Sequence, residues 1–381
     1  MDAVTLEELA ARGGMKWSGE RGGIGAFVAE MDFGLAPAIA DALHDSVDRA
    51  DFGYLPKRLV VGLQEATSEW LRDGSGWQVA PERIQALPDV IKGLEVTLEH
   101  FSRPGSKVIV PTPAYMPFLT VPGMSGREVI EVPLAHDGDR YTFDLDALQA
   151  AFDAGGGLLL LCNPYNPVGR VFSRDELLAV AEVVDRNGGR VFADEIWSPL
   201  IYPGGTHVPY ASLSETTAGH TVTALSASKA FNLPGLKCAE LVLSNDADAQ
   251  LWEKVGFFAS HGTSNLGVVA NTAAFRDGRG WLDDVVAYLD GNRRLLGQLV
   301  TELLPGVRYS EPEGTYVGWL DFRETGLEQP ADFFAEQAGV VLTDGVACGR
   351  AGEGFARFIF AMPRPVLAQA IRQMGEALTA R

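Results

Sequence analysis

Residues 157–169 read Gly157-Leu-Leu-Leu-Leu-Cys162-Asn163-Pro-Tyr-Asn166-Pro-Val-Gly169, and residues 189–197 read Gly189-Arg-Val-Phe-Ala-Asp194-Glu195-Ile-Trp197. Each begins as a short apolar run. Between them, Ser173 to Asn187 has a helical pattern. Ser173, with Glu176 three residues later, is a capping-box signature. Strand, helix, strand predicts parallel strands joined by a crossover helix. Continuously apolar strands predict a sheet covered by helices on both faces. Functional residues in such a sheet collect in loops at the carboxyl ends of the strands.

The alternation extends outward. Lys107–Val110, Gly126–Leu134, His220–Ser226 and Cys238–Ser244 read as further strands, and Asp144–Phe152 as a helix. The C-terminal third differs. A long helix pattern, Trp281–Leu304, precedes strand patterns at Gly314–Phe322, Val340–Thr343 and Ala356–Phe360. The last helix carries Leu367, Ile371, Met374 and Leu378 on one face. The expected class is α/β. A large domain, residues 36–279, has a mostly parallel sheet sandwiched by helices. A smaller α+β domain combines residues 1–35 and 280–381.

Composition narrows the function. The 381 residues exceed what one core usually supports. Lys and Arg number 31 against 50 Asp and Glu, a net charge of −19, which opposes binding to nucleic acid. No apolar run approaches the ~20 residues of a membrane helix. The N-terminus carries Asp2, Glu7 and Glu8 and no basic leader, so a cytoplasmic protein is expected. Three widely spaced cysteines make no disulfide framework, and without CxxC or HExxH no metal is expected.

Three features carry chemistry. Lys229 sits in Ser226-Ala-Ser-Lys229-Ala-Phe-Asn-Leu-Pro-Gly, directly after a strand pattern. Alone it reads as a solvated loop lysine or as an amine held near a bound aldehyde. Asp194 ends an apolar strand, where an unpaired carboxylate is costly. It either caps the next element or meets a cation. The two Asn-Pro steps before Gly169 force a fixed turn at a strand end.

In this order and spacing, NPxNPxG, a strand ending in DE, and SxSK resemble the fold-type I pyridoxal-phosphate (PLP) enzymes of the class I/II aminotransferase superfamily. Further stretches resemble its MalY/PatB-like cystathionine β-lyase subfamily: Phe27-Val-Ala-Glu-Met31-Asp32-Phe33, Phe52-Gly-Tyr54, Pro111-Thr-Pro-Ala-Tyr115-Met-Pro-Phe118, Gly314 to Arg323 and Arg357 to Arg364.

The resemblance implies a role for each site residue. Lys229 holds PLP and removes the Cα proton of the substrate. Asp194 pairs with the pyridinium nitrogen, Asn166 bonds the ring hydroxyl, and Tyr115 stacks on the ring. Ser226, Lys237 and the backbone N–H groups of Val90 and Ile91 bind the phosphate. Tyr54 reaches the phosphate of the neighbouring subunit in a homodimer. Arg357 clamps the α-carboxylate, and Trp197, Met31 and Asp32 contact substrate. Three positions depart from the family pattern. Asp89 replaces a usual Gly and is expected to be a helix N-cap. Trp197 and Ile359 replace a common His and Asn, which implies an apolar wall and a bulkier or less polar substrate side chain. His207 reads as a loop histidine.

The implied reaction is α,β-elimination of an L-cysteine S-conjugate, cystathionine-like, to a thiol, pyruvate and ammonia. The alternatives are an aminotransferase, an atypical PLP reaction such as decarboxylation-coupled oxidative deamination of an S-conjugated amino acid, and a regulatory protein on the same fold.

Overall fold

The computed structural model describes residues 1–18, 23–137 and 140–381. Seven strands form the main sheet: β1 (Ile84–Leu87), β2 (Lys107–Thr112), β3 (Val129–Pro133), β4 (Gly156–Cys162), β5 (Arg190–Asp194), β6 (Thr221–Leu225) and β7 (Ala239–Leu243). Their order is β1-β7-β6-β5-β4-β2-β3. From β6 to β3 every neighbour is parallel, and β7 runs against both β6 and β1. The mostly parallel sheet is therefore as expected. Every residue of β4, β6 and β7 is buried, the condition that made these strands read as unbroken apolar runs.

The helix between β4 and β5, α1 (Arg174–Arg186), starts with the predicted capping box of Ser173 and Glu176. The pattern over Val90–Phe101 forms an α-helix to Val96 and then a π turn over Thr97–Phe101. The sequence reading missed β1. Four residues between a 3-10 turn at Pro81–Arg83 and Pro88 are too few to show a period.

The chain then builds a second, antiparallel sheet from β8 (Arg308–Tyr309), β9 (Val317–Asp321), β10 (Thr343–Asp344) and β11 (Phe355–Ile359), in the order β8-β9-β11-β10. The long helix α2 (Arg279–Leu303) and the last helix α3 (Arg364–Thr379) pack together. The N-terminal segment joins this part. Ile24–Gly25 pairs in parallel with Val340–Val341, and the Ile359 N–H donates to Ala26 O. Among the described residues no helix is long and apolar enough to cross a membrane.

The sheet interior tolerates one misfit. Glu240, in the middle of β7, is fully buried. One carboxylate oxygen has no hydrogen-bond partner, and the other has only the Cys238 thiol at 3.9 Å. Burial pushes its pKa up to about 8. The folded state then holds a proton that the unfolded chain releases above its ordinary value of 4.5. Stability should fall as pH rises from about 4.5 to about 8. Glu240→Gln should remove that decline. By urea unfolding at fixed cofactor concentration, the variant should gain on the order of a few kcal/mol over wild type between pH 5 and pH 8.

Candidate active site

The register places the three motifs at one edge. Cys162, the last residue of β4, lies beside Asp194, the last of β5, and Asp194 lies beside Ala224 of β6. The Asn163 N–H donates to Asp194 O, so the turn that carries Asn166 is tied to the strand that carries Asp194. Lys229 follows β6 four residues on. Gly169 closes the turn at φ 72°, and a Cβ there would lie 2.2 Å from Pro312. No other residue fits.

A cavity of about 690 Å³ opens at this edge. Lys229, Asp194, Asn166 and Tyr115 line it, as do Ser226, Lys237, Val90 and Ile91, and Arg357 and Trp197. Ten of the thirteen expected site residues are thus brought together.

Met31 and Asp32 do not line the cavity. Both are buried behind it. The Asn232 side chain clamps the Met31 backbone, accepting from its N–H at 2.9 Å and donating to its carbonyl at 2.7 Å. The Asp32 carboxylate is taken by Lys16 Nζ and Trp17 Nε1, each at 2.7 Å. Expected as substrate contacts, they stand here behind the cavity: Met31 is tied to the loop after Lys229, and Asp32 to Lys16 and Trp17. Ile359 also lies outside the cavity wall, fully buried in β11, so Trp197 alone of the two departures faces the cavity. Tyr54 lies elsewhere, 93% exposed beside a surface hollow of about 950 Å³.

Burial dominates the charged groups. Asp194 is 3% exposed and accepts only the Ile196 N–H, at 3.1 Å. Burial pushes its pKa up to about 7. Lys229 Nζ donates to Ala29 O at 3.0 Å. Burial, with the nearby Arg357 charge, lowers its pKa to about 8. Arg357 is 3% exposed, and its guanidinium donates to Asn166 Oδ1 (3.3 Å), Phe27 O (2.8 Å) and Thr343 Oγ1 (3.3 Å). All three are neutral acceptors, and its Nε has no partner.

At the other end, Asp89 caps the helix that begins at Val90, as expected: Oδ1 accepts the Lys92 N–H at 2.8 Å. Its Oδ2 lies 2.8 Å from Lys237 Nζ. Lys237 itself is in the left-handed region, at φ 54°. Ser226 donates its hydroxyl to Cys238 O at 2.7 Å and accepts from the Ser228 N–H at 3.0 Å.

These groups fit PLP. A buried carboxylate without a cation suits a pyridinium, a lysine of depressed pKa suits an aldehyde, and Tyr115 and Trp197 offer apolar faces. Arg357, a buried cation without an anion, suits a substrate carboxylate.

A model of the family described as aminotransferase class I and II matches residues 27–374. The chain belongs to this family. It is 37% identical over 378 residues to the cystathionine β-lyase of Corynebacterium glutamicum, covering 98% of this chain and 99% of that one. It is 32% identical to the cystathionine β-lyase PatB of Bacillus subtilis, covering 98% of each. A crystal structure from Corynebacterium diphtheriae, provisionally described as a PLP-dependent β-cystathionase, superposes with a TM-score of 0.94 at 39% identity, over 100% of this chain and 99% of that one.

Two features at or beside the site escaped the sequence reading. Phe27 and Ala29 act through backbone carbonyls, which leave no side-chain signal. The second feature is a buried pair. Glu195 is 1% exposed; its Oε2 lies 3.0 Å from His207 Nε2, and its Oε1 accepts the Tyr210 N–H at 2.8 Å. His207 is therefore no plain loop residue. The signal was the Asp-Glu dipeptide at a strand end, which sends its two carboxylates to opposite sides. His207→Ala should strand a buried carboxylate and lower stability by about 3 kcal/mol. Adding Glu195→Gln should restore much of the loss, read from urea midpoints.

Proposed function

We infer that this chain is a PLP-dependent carbon–sulfur β-lyase. It converts an L-cysteine S-conjugate and water to a thiol, pyruvate and ammonia. The observation that carries the reading is Arg357: a buried guanidinium with no described carboxylate paired to it, lining the same cavity as Lys229 and Asp194. The relatives named cystathionine β-lyase point to the same reaction.

PLP, when bound, supplies an electron sink for the pair left at Cα. The chain's residues do the rest. The Arg357 fork holds the α-carboxylate and so fixes the direction of the Cα–H bond. Asp194 sits where it can pair with the ring nitrogen, and a cation there would draw its carboxyl back toward the ionised form. Lys229 takes the Cα proton. Burial lowers its pKa to about 8, so far more of this amine is free base near neutral pH than of an ordinary lysine. Asn166 joins the clamp to the ring site, because it accepts from Arg357 and lies in the turn bound to Asp194. Trp197 and Tyr115 wall the cavity with apolar surface. Val90, Ile91, Ser226 and Lys237 mark the phosphate end.

The division into residues 36–279 and residues 1–35 with 280–381 sets this cavity between two domains. Lys229 and Asp194 belong to one and Arg357 to the other. The chain works as a homodimer. Phe52, Tyr54, Phe257 and Phe258, 61–93% exposed, supply an apolar face for the second copy. Through that face Tyr54 reaches the phosphate site of the neighbouring subunit. A cytoplasmic setting fits the three free, buried cysteines.

Product stoichiometry tests the reaction. With PLP, L-cystathionine and no keto acid, pyruvate, ammonia and free thiol should accumulate in equal amounts over many turnovers. Product that stops at one turnover and resumes only with added keto acid would establish transamination instead.

Two variants test the residues. Lys229→Ala should lower kcat by at least about 10³-fold. Arg357→Ala should lower kcat/KM by roughly 10²–10⁴-fold, the loss of two hydrogen bonds to a charged group. Steady-state pyruvate assays read both.

A further inference from the structure

On the function proposed above, Ser226 and Lys237 are the side chains that meet the cofactor phosphate. Both already have partners. Ser226 donates its hydroxyl hydrogen to Cys238 O at 2.7 Å. Lys237 Nζ lies 2.8 Å from Asp89 Oδ2. Each half of that ion pair is anchored. Asp89 Oδ1 accepts the Lys92 N–H at 2.8 Å, which leaves Oδ2 facing Lys237. Lys237 ends the 3-10 turn Pro234–Leu236 at φ 54°, and its carbonyl accepts the Ser264 N–H at 3.1 Å. Both residues line the same cavity as Lys229 and Asp194. The pair is open to water: the Lys237 and Asp89 side chains are 58% and 38% exposed. Such a pair is weak, and an arriving anion can break it. The carboxylate stays, because the helix N–H holds it. An anion that takes Lys237 therefore does so beside a fixed like charge.

We propose that Asp89 is an internal competitor for the cofactor phosphate. It occupies the Lys237 ammonium and opposes the incoming anion. The chain therefore binds PLP less tightly than its own donors allow, and separates PLP from pyridoxal less sharply than it would without that carboxylate. This rests on the cavity being the PLP site of the function proposed above. Pyridoxal offers the same ring and aldehyde to Asp194 and Lys229 and brings no charge to Lys237, so the two compounds differ at the phosphate end alone.

Equilibrium titration of the full chain with PLP and with pyridoxal, read from the absorbance of the bound cofactor, tests this. Asp89→Asn keeps an oxygen for the Lys92 N–H and removes the charge. It should lower the Kd for PLP by about tenfold or more at low salt and leave the Kd for pyridoxal within about threefold. The gain should shrink in ~1 M salt, where exposed charges are screened. Asp89→Gly, which gives up the side-chain cap as well, should show the same gain for PLP. Lys237→Met should weaken PLP more in the Asp89→Asn background than in the wild type, because only there is the ammonium free to meet the phosphate.

PLP affinity unchanged or lowered in both Asp89 variants would overturn the proposal and make Asp89 a residue that steers Lys237 onto the phosphate. Pyridoxal gaining as much as PLP would overturn it too. The two readings fail separately. If the Kd values shift as stated but no L-cysteine S-conjugate yields pyruvate, the competition stands and the lyase reading falls. If pyruvate accumulates and the Kd values do not shift, the lyase reading stands and the competition falls. A full chain that binds neither compound overturns both.

Discussion

Charge cannot be carried inside a sheet that is buried on both faces, and the rest of the molecule is arranged around that constraint. In β4, β5 and β6 the interior positions are Leu, Val, Phe, Ala and Thr, and the first ionisable group after the buried run of β5 is its last residue, Asp194. Backbone ladders consume the strand N–H and C=O groups, so polar side chains find free donors only where the strands stop. Asn163, Asp194 and Lys229 therefore gather at one edge. Placing them there also keeps them partly desolvated, which is why the carboxyl and the amine both move toward their neutral forms.

Arg357 could not come from that sheet. It stands in the antiparallel sheet, and the N-terminal segment connects the two. Ile24–Gly25 extends the C-terminal part by parallel pairing with Val340–Val341, and Phe27 and Ala29 then present carbonyls to Arg357 and Lys229. Further on, Asn232 grips Met31, and the Lys16–Asp32 pair anchors the end of the segment. Lys229 and Arg357 are thus held in register by a short stretch of chain with almost no regular structure. That segment bonds to strand residues Val341, Thr343, Arg357 and Ile359 on one side and to Lys229 and Asn232 on the other, so its conformation depends on both parts being in place.

Much of this was legible in the sequence, and the reason is physical. The strands of the main sheet read correctly because burial on both faces leaves an unbroken apolar signature, and α1 read correctly because Ser173 and Glu176 cap it locally. Residues whose role is to project a side chain into the cavity were also legible, since a lysine after a strand or a carboxylate at its end has few structural excuses. What did not show was anything acting through the backbone, such as Ala29 and Phe27, or through a partner far along the chain, such as His207 with Glu195. Met31 and Asp32 stand apart from the cavity for a related reason. Their motif lies beside the site, but Asp32 answers to Lys16 and Trp17, and the sequence does not say which side of the loop a carboxylate faces. The strand β1 was lost to its length.

The two ends of the cavity differ in how their charges are balanced. At one end, Asp194 and Arg357 are buried without counter-ions among the described residues, so a ligand that brings a cation to one and an anion to the other relieves desolvation already present in the fold. At the opposite end, Asp89 has taken both a helix N–H and the Lys237 ammonium, so an arriving anion must compete with a carboxylate that is already well placed. Affinity for a ligand spanning both ends should accordingly come more from contacts at Asp194 and Arg357 than from those at Lys237. The same asymmetry ties the protein's stability to the end that holds Asp194 and Arg357. There the described residues supply two buried ionisable groups in no ion pair, whereas at the opposite end Asp89 and Lys237 neutralise each other.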